Sequence, residues 1–78
     1  MEVTRESIQR VFAKNLAKKL SEKKISQRAL GQSIGVTASS ICQYLHPEMV
    51  TKIPNLYTVK KIADTLGCTI DELINENV

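Results

Sequence analysis

Thr37-Ala38-Ser39-Ser40, followed one helical turn later by Gln43, is a run of small and polar side chains. Glutamine carries a carbonyl and an amide NH2, which match N6 and N7 of adenine in the major groove. Ser39 can bond several bases, and the methyl of Ala38 or Thr37 can meet the methyl of thymine. A slim helix end with this chemistry can enter a DNA major groove. In isolation the same run would suit a short helix that is merely capped and kept in water. The surrounding frame decides between the two.

Other chemistries find little support. Cys42 and Cys68 form no close ligand pair, and His46 is the one histidine, so a zinc site is not expected. Cys42 is expected to be a small, partly exposed side chain without an activating partner, and Cys68 a buried small hydrophobe. No Ser, His and Asp set suggests a catalytic triad, and no glycine-rich loop could cradle a phosphate. An enzyme is therefore not expected, nor a cofactor, and no small-molecule ligand can be inferred. No window is long and apolar enough for a membrane span, and the N-terminus lacks a secretory apolar stretch, so a cytoplasmic protein is expected.

The elements that must position Thr37 to Gln43 are helical. With three glycines, two prolines and 4% aromatics, the chain does not read as a turn-rich β fold. Ile8, Val11, Phe12, Leu16 and Leu20 recur at steps of three and four. They predict an amphipathic helix over roughly 5–23, with Gln9 among the polar intervening positions. Ser26 is the expected N-cap of a short helix that runs to about Ile34 and stops at Gly35. Thr37 caps a third, about 38–45, which ends before His46-Pro47. A loop spans His46 to Asn55. Leu56, Val59, Ile62, Ala63 and Leu66 mark a fourth helix, stopped by Gly67. Thr69-Ile70-Asp71-Glu72 has the capping-box pattern and starts a fifth. The expected fold is all-α: one domain of five helices over residues 1–78. Its second and third helices are joined by Gly35-Val36-Thr37, with Val36 plugging the gap between them. Gly31 is expected where the second helix comes nearest the third.

Charge is unevenly spread. Residues 1–30 carry eight Lys or Arg against three Glu, whereas residues 62–78 carry four acidic residues and no Lys or Arg. This asymmetry suits a protein with one face toward a polyanion, although a solvated helix face produces it too.

The stretch from Ser26-Gln27-Arg28-Ala29-Leu30-Gly31 through Ile34-Gly35-Val36-Thr37-Ala38-Ser39-Ser40-Ile41 to Leu45 resembles the helix-turn-helix of the lambda-repressor-like family, also called Cro/cI or Xre. Ile62-Ala63-Asp64-Thr65-Leu66-Gly67 through Leu73-Ile74 resembles that family's last two helices. The resemblance implies a five-helix DNA-binding domain with its helix-turn-helix at about 26–45. It assigns base reading to Ala38, Ser39 and Gln43. It assigns phosphate contact to Gln27, Thr37 and Ser40, and to Lys52, Asn55, Tyr57 and Thr58 in and after the loop. Two departures stand out: Ala38 replaces a long polar residue, and Gly31 replaces the usual alanine.

Together these point to a sequence-specific transcriptional regulator, a repressor of phage or mobile-element type, bound as a homodimer to an inverted repeat in double-stranded DNA. The dimer surface is expected from the fifth helix and the loop before the fourth, using exposed parts of Leu73, Ile74 and Val78. The rival reading is a protein-interaction module of antitoxin or anti-repressor type on the same fold.

Overall fold

The computed structural model describes residues 4–75. Five helices follow one another with no strand among the described residues: α1 (Arg5–Lys23), α2 (Gln27–Ile34), α3 (Ala38–Leu45), α4 (Leu56–Leu66) and α5 (Ile70–Ile74). Helix α1 packs on α3, α4 and α5, α2 packs on α3 and α4, and α4 also meets α5. Phe12, Leu16, Leu20, Leu30, Ile34, Ile41, Ile62, Leu66 and Leu73 meet in the core. Val36 is half-buried against it, as a plug in the α2–α3 turn should be.

Each helix starts on a side-chain cap. Ser26 Oγ accepts from Ala29 N at 3.0 Å, Thr37 Oγ1 from Ser40 N at 3.1 Å, and Asn55 Oδ1 from Thr58 N at 2.8 Å. Each cap satisfies an amide that the helix itself leaves without a partner. Helix α1 begins with a capping box between Thr4 and Ser7, which the apolar periodicity did not reveal. At Thr69 only half of the expected box forms. Thr69 Oγ1 accepts from Glu72 N at 3.1 Å, while the Glu72 carboxylate reaches Lys19 at 3.1 Å.

Three helices end on a left-handed residue. Gly35 (φ 80°) and Gly67 (φ 68°) adopt that region without a Cβ penalty. Lys24 (φ 57°) adopts it with one.

The buried face of α1 differs from the expected stripe. Ile8 lies at its exposed edge, and Gln9 and Asn15 are buried. Both amides are used in full view of the core. Asn15 Nδ2 donates to Leu73 O at 3.1 Å and to Asn75 O at 2.9 Å, which ties the end of α5 to α1. That docking corrects the expected role of Leu73, which has no exposed surface and cannot contribute to a dimer face. Ile74 remains exposed, and Val78 lies outside the described residues.

Candidate nucleic-acid interface

The α2–α3 pair presents a short polar tip. Thr37, Ala38, Ser39 and Gln43 are exposed and Ser40 is half-buried. The inner side of α3 is anchored by Ile41, which is fully buried, and by Tyr44, whose ring meets Phe12 edge-on at 6.3 Å between centroids. Tyr44 is thus committed to the core and unavailable for stacking on bases. Burial pushes its phenol above the ordinary range.

Gly31 sets how closely α2 can approach this tip. A Cβ built there would lie 2.7 Å from the carbonyl oxygen of Val36 and 3.3 Å from the carbonyl carbon of Thr37. The obstacle is backbone, which cannot swing aside as a side chain can. Glycine at this position therefore brings the turn and the first residues of α3 directly onto α2. The departure from alanine noted in the sequence has a geometric cause.

Hydroxyls at the tip divide their work. Thr37 Oγ1 accepts from Ser40 N and donates to Ser40 Oγ at 3.1 Å, so its proton is spent within the turn. Ser40 then has its own hydroxyl proton left for an outside acceptor. Asn55 is similar: its carbonyl caps α4, and its NH2 faces away from that bond. Gln27 occupies the first turn of α2, half-buried beside Ser26, Ile25 and Leu45. The first amides of that helix have no intrahelical acceptor, a favourable setting for an anion. Tyr57 is exposed, with Lys61 Nζ 5.0 Å from its ring centroid, and Thr58 is half-buried.

The loop before α4 is fastened to α3 through Gln9, whose exposure is 1%. Gln9 Nε2 donates to Gln43 O at 3.2 Å and to Val50 O at 3.0 Å, and Gln9 Oε1 accepts from Lys52 N at 2.9 Å. The Lys52 ammonium lies over α3 and donates to Gln43 Oε1 at 2.8 Å. It is also 3.5 Å from Ser40 Oγ and 5.7 Å from the Tyr44 ring centroid. The structure thus brings Ser40, Gln43 and Lys52 into one cluster, while Asn55, Tyr57 and Thr58 sit at the start of α4.

Two residues that help build this surface were missed from sequence. Gln9 reads by its type as a polar-face residue of α1, although it lies three residues before Phe12 and seven before Leu16, in phase with the buried stripe. That phase was the available signal. Lys61 donates to Ile34 O at 2.8 Å and so caps the end of α2 from α4. Nothing local in the sequence marks that long-range contact.

Cys42 has His46 beside it, with Nδ1 3.6 Å from its sulfur. The same nitrogen lies 2.8 Å from Cys42 O. A carbonyl only accepts, so Nδ1 must carry a proton there and cannot take one from the thiol. Cys68 is half-buried against the core, and its thiol is pushed up by burial and by Glu72, opposed by Lys19 and Lys23. No helix among the described residues is long and apolar enough to cross a membrane.

A search of the curated proteins and one of the solved structures each found no match for the chain. A family model does match, over residues 15–76, which includes all of α2 to α5 and the C-terminal part of α1. With capped short helices, a plugged turn and a polar tip now seen in three dimensions, the chain belongs to the family of Cro/C1-type HTH DNA-binding domains.

Proposed function

We propose that the protein is a sequence-specific transcriptional repressor that binds an inverted repeat as a homodimer. The observation that carries this reading is the tip of α3: slender, polar and exposed at Thr37 to Ser39 and Gln43, and braced from behind by α2. In this reading Ala38, Ser39 and Gln43 face base edges in the major groove. Gln27, Thr37, Ser40, Asn55, Tyr57 and Thr58 flank them along the phosphates, and Lys52 adds its charge to that face. The free amides at the start of α2 and the outward NH2 of Asn55 are donors, as phosphate oxygens require.

The dimer is supported by apolar side chains left outside the core. Met49 and Val50 lie in the loop before α4, Leu56 at the start of α4, and Ile74 at the end of α5. Single exposed apolar residues are common, but several of them on one small domain suit a partner copy.

Selection of bound duplexes from a random pool tests the reading. The expected product is an inverted repeat with half-site centres about one helical turn apart. Recovery of no sequence preference, or of unpaired half-sites only, would overturn it.

A further inference from the structure

The bond between Lys52 and Gln43 constrains what Gln43 can read. An ammonium has three donors and no acceptor, so the side-chain carbonyl of Gln43 must face Lys52 and its NH2 must face away. Adenine needs the opposite offer as well, since its N6 amino group requires an acceptor beside the donor for N7. The glutamine oxygen keeps a second lone pair, but the ammonium held 2.8 Å from it sets its own donors where the N6 amino group would have to approach.

This arrangement is built from below. The backbones of the two residues are joined through Gln9, which accepts from Lys52 N and donates to Gln43 O while almost wholly buried. The lysine side chain is drawn back over α3 by Gln43, by Ser40 Oγ and by the face of Tyr44. Its ammonium therefore stands beside the exposed polar tip, with hydrogens to spare.

Resting on the proposal that α3 enters the major groove, we infer that Lys52 and Gln43 form one donor-only reading unit whose target is a guanine. Guanine alone among the bases shows two neighbouring acceptors in the major groove, N7 and O6. Gln43 Nε2 supplies one donor and the Lys52 ammonium the other. Lys52 is thereby a specificity-determining residue as well as a charge on the DNA-facing side.

The test is selection from a random duplex pool with the wild-type chain and with Gln43→Ala, Lys52→Met and Lys52→Arg. Gln43→Ala identifies the half-site position read by this unit, as the one whose preference collapses. The wild type is expected to prefer guanine there over adenine by about 10-fold or more. Lys52→Met frees the glutamine carbonyl, so preference moves to adenine at that position and stays unchanged elsewhere. Lys52→Arg keeps a donor and keeps guanine. Adenine selected by the wild type overturns the inference. So does a Lys52→Met protein that binds every duplex more weakly with its guanine preference intact, which is the behaviour of a phosphate contact. A wild type that enriches no sequence sinks the base-reading function itself, a different and recognisable failure. If Lys52→Met does not fold, the base chosen by the wild type still decides.

Discussion

Gln9 and Lys52 lie 43 positions apart and share a 2.9 Å hydrogen bond from the Lys52 backbone N–H to the Gln9 side-chain carbonyl. Together with the two bonds from Gln9 Nε2, it makes one buried amide the fastener between α1, α3 and the loop that precedes α4. Gln9→Leu keeps most of the volume but takes the partner from the Lys52 amide and the Val50 carbonyl, while Gln43 O keeps its bond from His46 N. Each such loss costs about 1–3 kcal/mol when the group stays buried. We expect Gln9→Leu to lower stability by roughly 2–3 kcal/mol in urea unfolding. The Lys52 amide should lose its protection from hydrogen exchange while the amides of α4 keep theirs. An unchanged urea midpoint would refute the role.

Gly31→Ala sets two effects against each other. Alanine is the better helix former by about 1 kcal/mol. Its methyl would lie 2.7 Å from the Val36 carbonyl oxygen, so α2 and the turn must separate. Overpacking against backbone costs about 1–3 kcal/mol, and we expect it to win. The variant should unfold at lower urea and bind DNA less tightly, because the tip of α3 moves with the turn.

Lys24→Gly should do the reverse. The left-handed conformation at φ 57° costs a non-glycine residue roughly 1–2 kcal/mol, more than the roughly 0.4–1 kcal/mol of unfolded-chain entropy that glycine adds. A rise of a few degrees in Tm, read by circular dichroism, is the expected outcome. A fall would show that the lysine side chain holds a contact of greater value.

Alkaline pH should destabilise the protein. The Cys68 thiol and the Tyr44 phenol are both held above their ordinary values, chiefly by burial. Their neutral forms are favoured in the native state, so their contribution is complete below the unfolded-state values and is lost as pH climbs through the folded ones. Lys19 acts in the same direction. Its hydrogen bond to Glu72 raises its value, so that contribution too is present at lower pH and lost above the ordinary lysine range. The urea midpoint should be level near neutrality with respect to these groups and fall above pH 9.0, the ordinary thiol value. Cys68→Ala should postpone the first part of that fall. A midpoint that rises through this range would contradict the assignment.

Two glutamines should behave differently toward DNA. Gln43→Ala is expected to cost roughly 1–3 kcal/mol on the selected site and little on random duplex, since a base contact discriminates. Gln27→Ala should weaken both by similar factors, as loss of a phosphate contact does. Fluorescence anisotropy on both duplexes separates the cases. Equal losses for Gln43→Ala on both would contradict base reading.

Much of this protein was legible before folding was considered. The caps at Ser26, Thr37 and Thr69 and the stops at Gly35 and Gly67 are local chemistry, decided by a side-chain oxygen or a missing Cβ within a few residues. The apolar periods from Leu56 to Leu66 and at Phe12, Leu16 and Leu20 follow from helix geometry. These elements, and their match to one family, need no knowledge of distant contacts. The tertiary structure alone decided which polar residues go inside. Gln9 and Asn15 are polar by type, and although Gln9 is in phase with the apolar stripe, both can be buried only because carbonyls and amides far along the chain arrive to meet them. It also decided that Leu73 is enclosed while Ile74 is not, and that the Lys52 ammonium lies on Gln43. Hydrogen bonds within a helix turn are encoded by neighbours in sequence, whereas the partners of a buried amide exist only once separate segments are brought together.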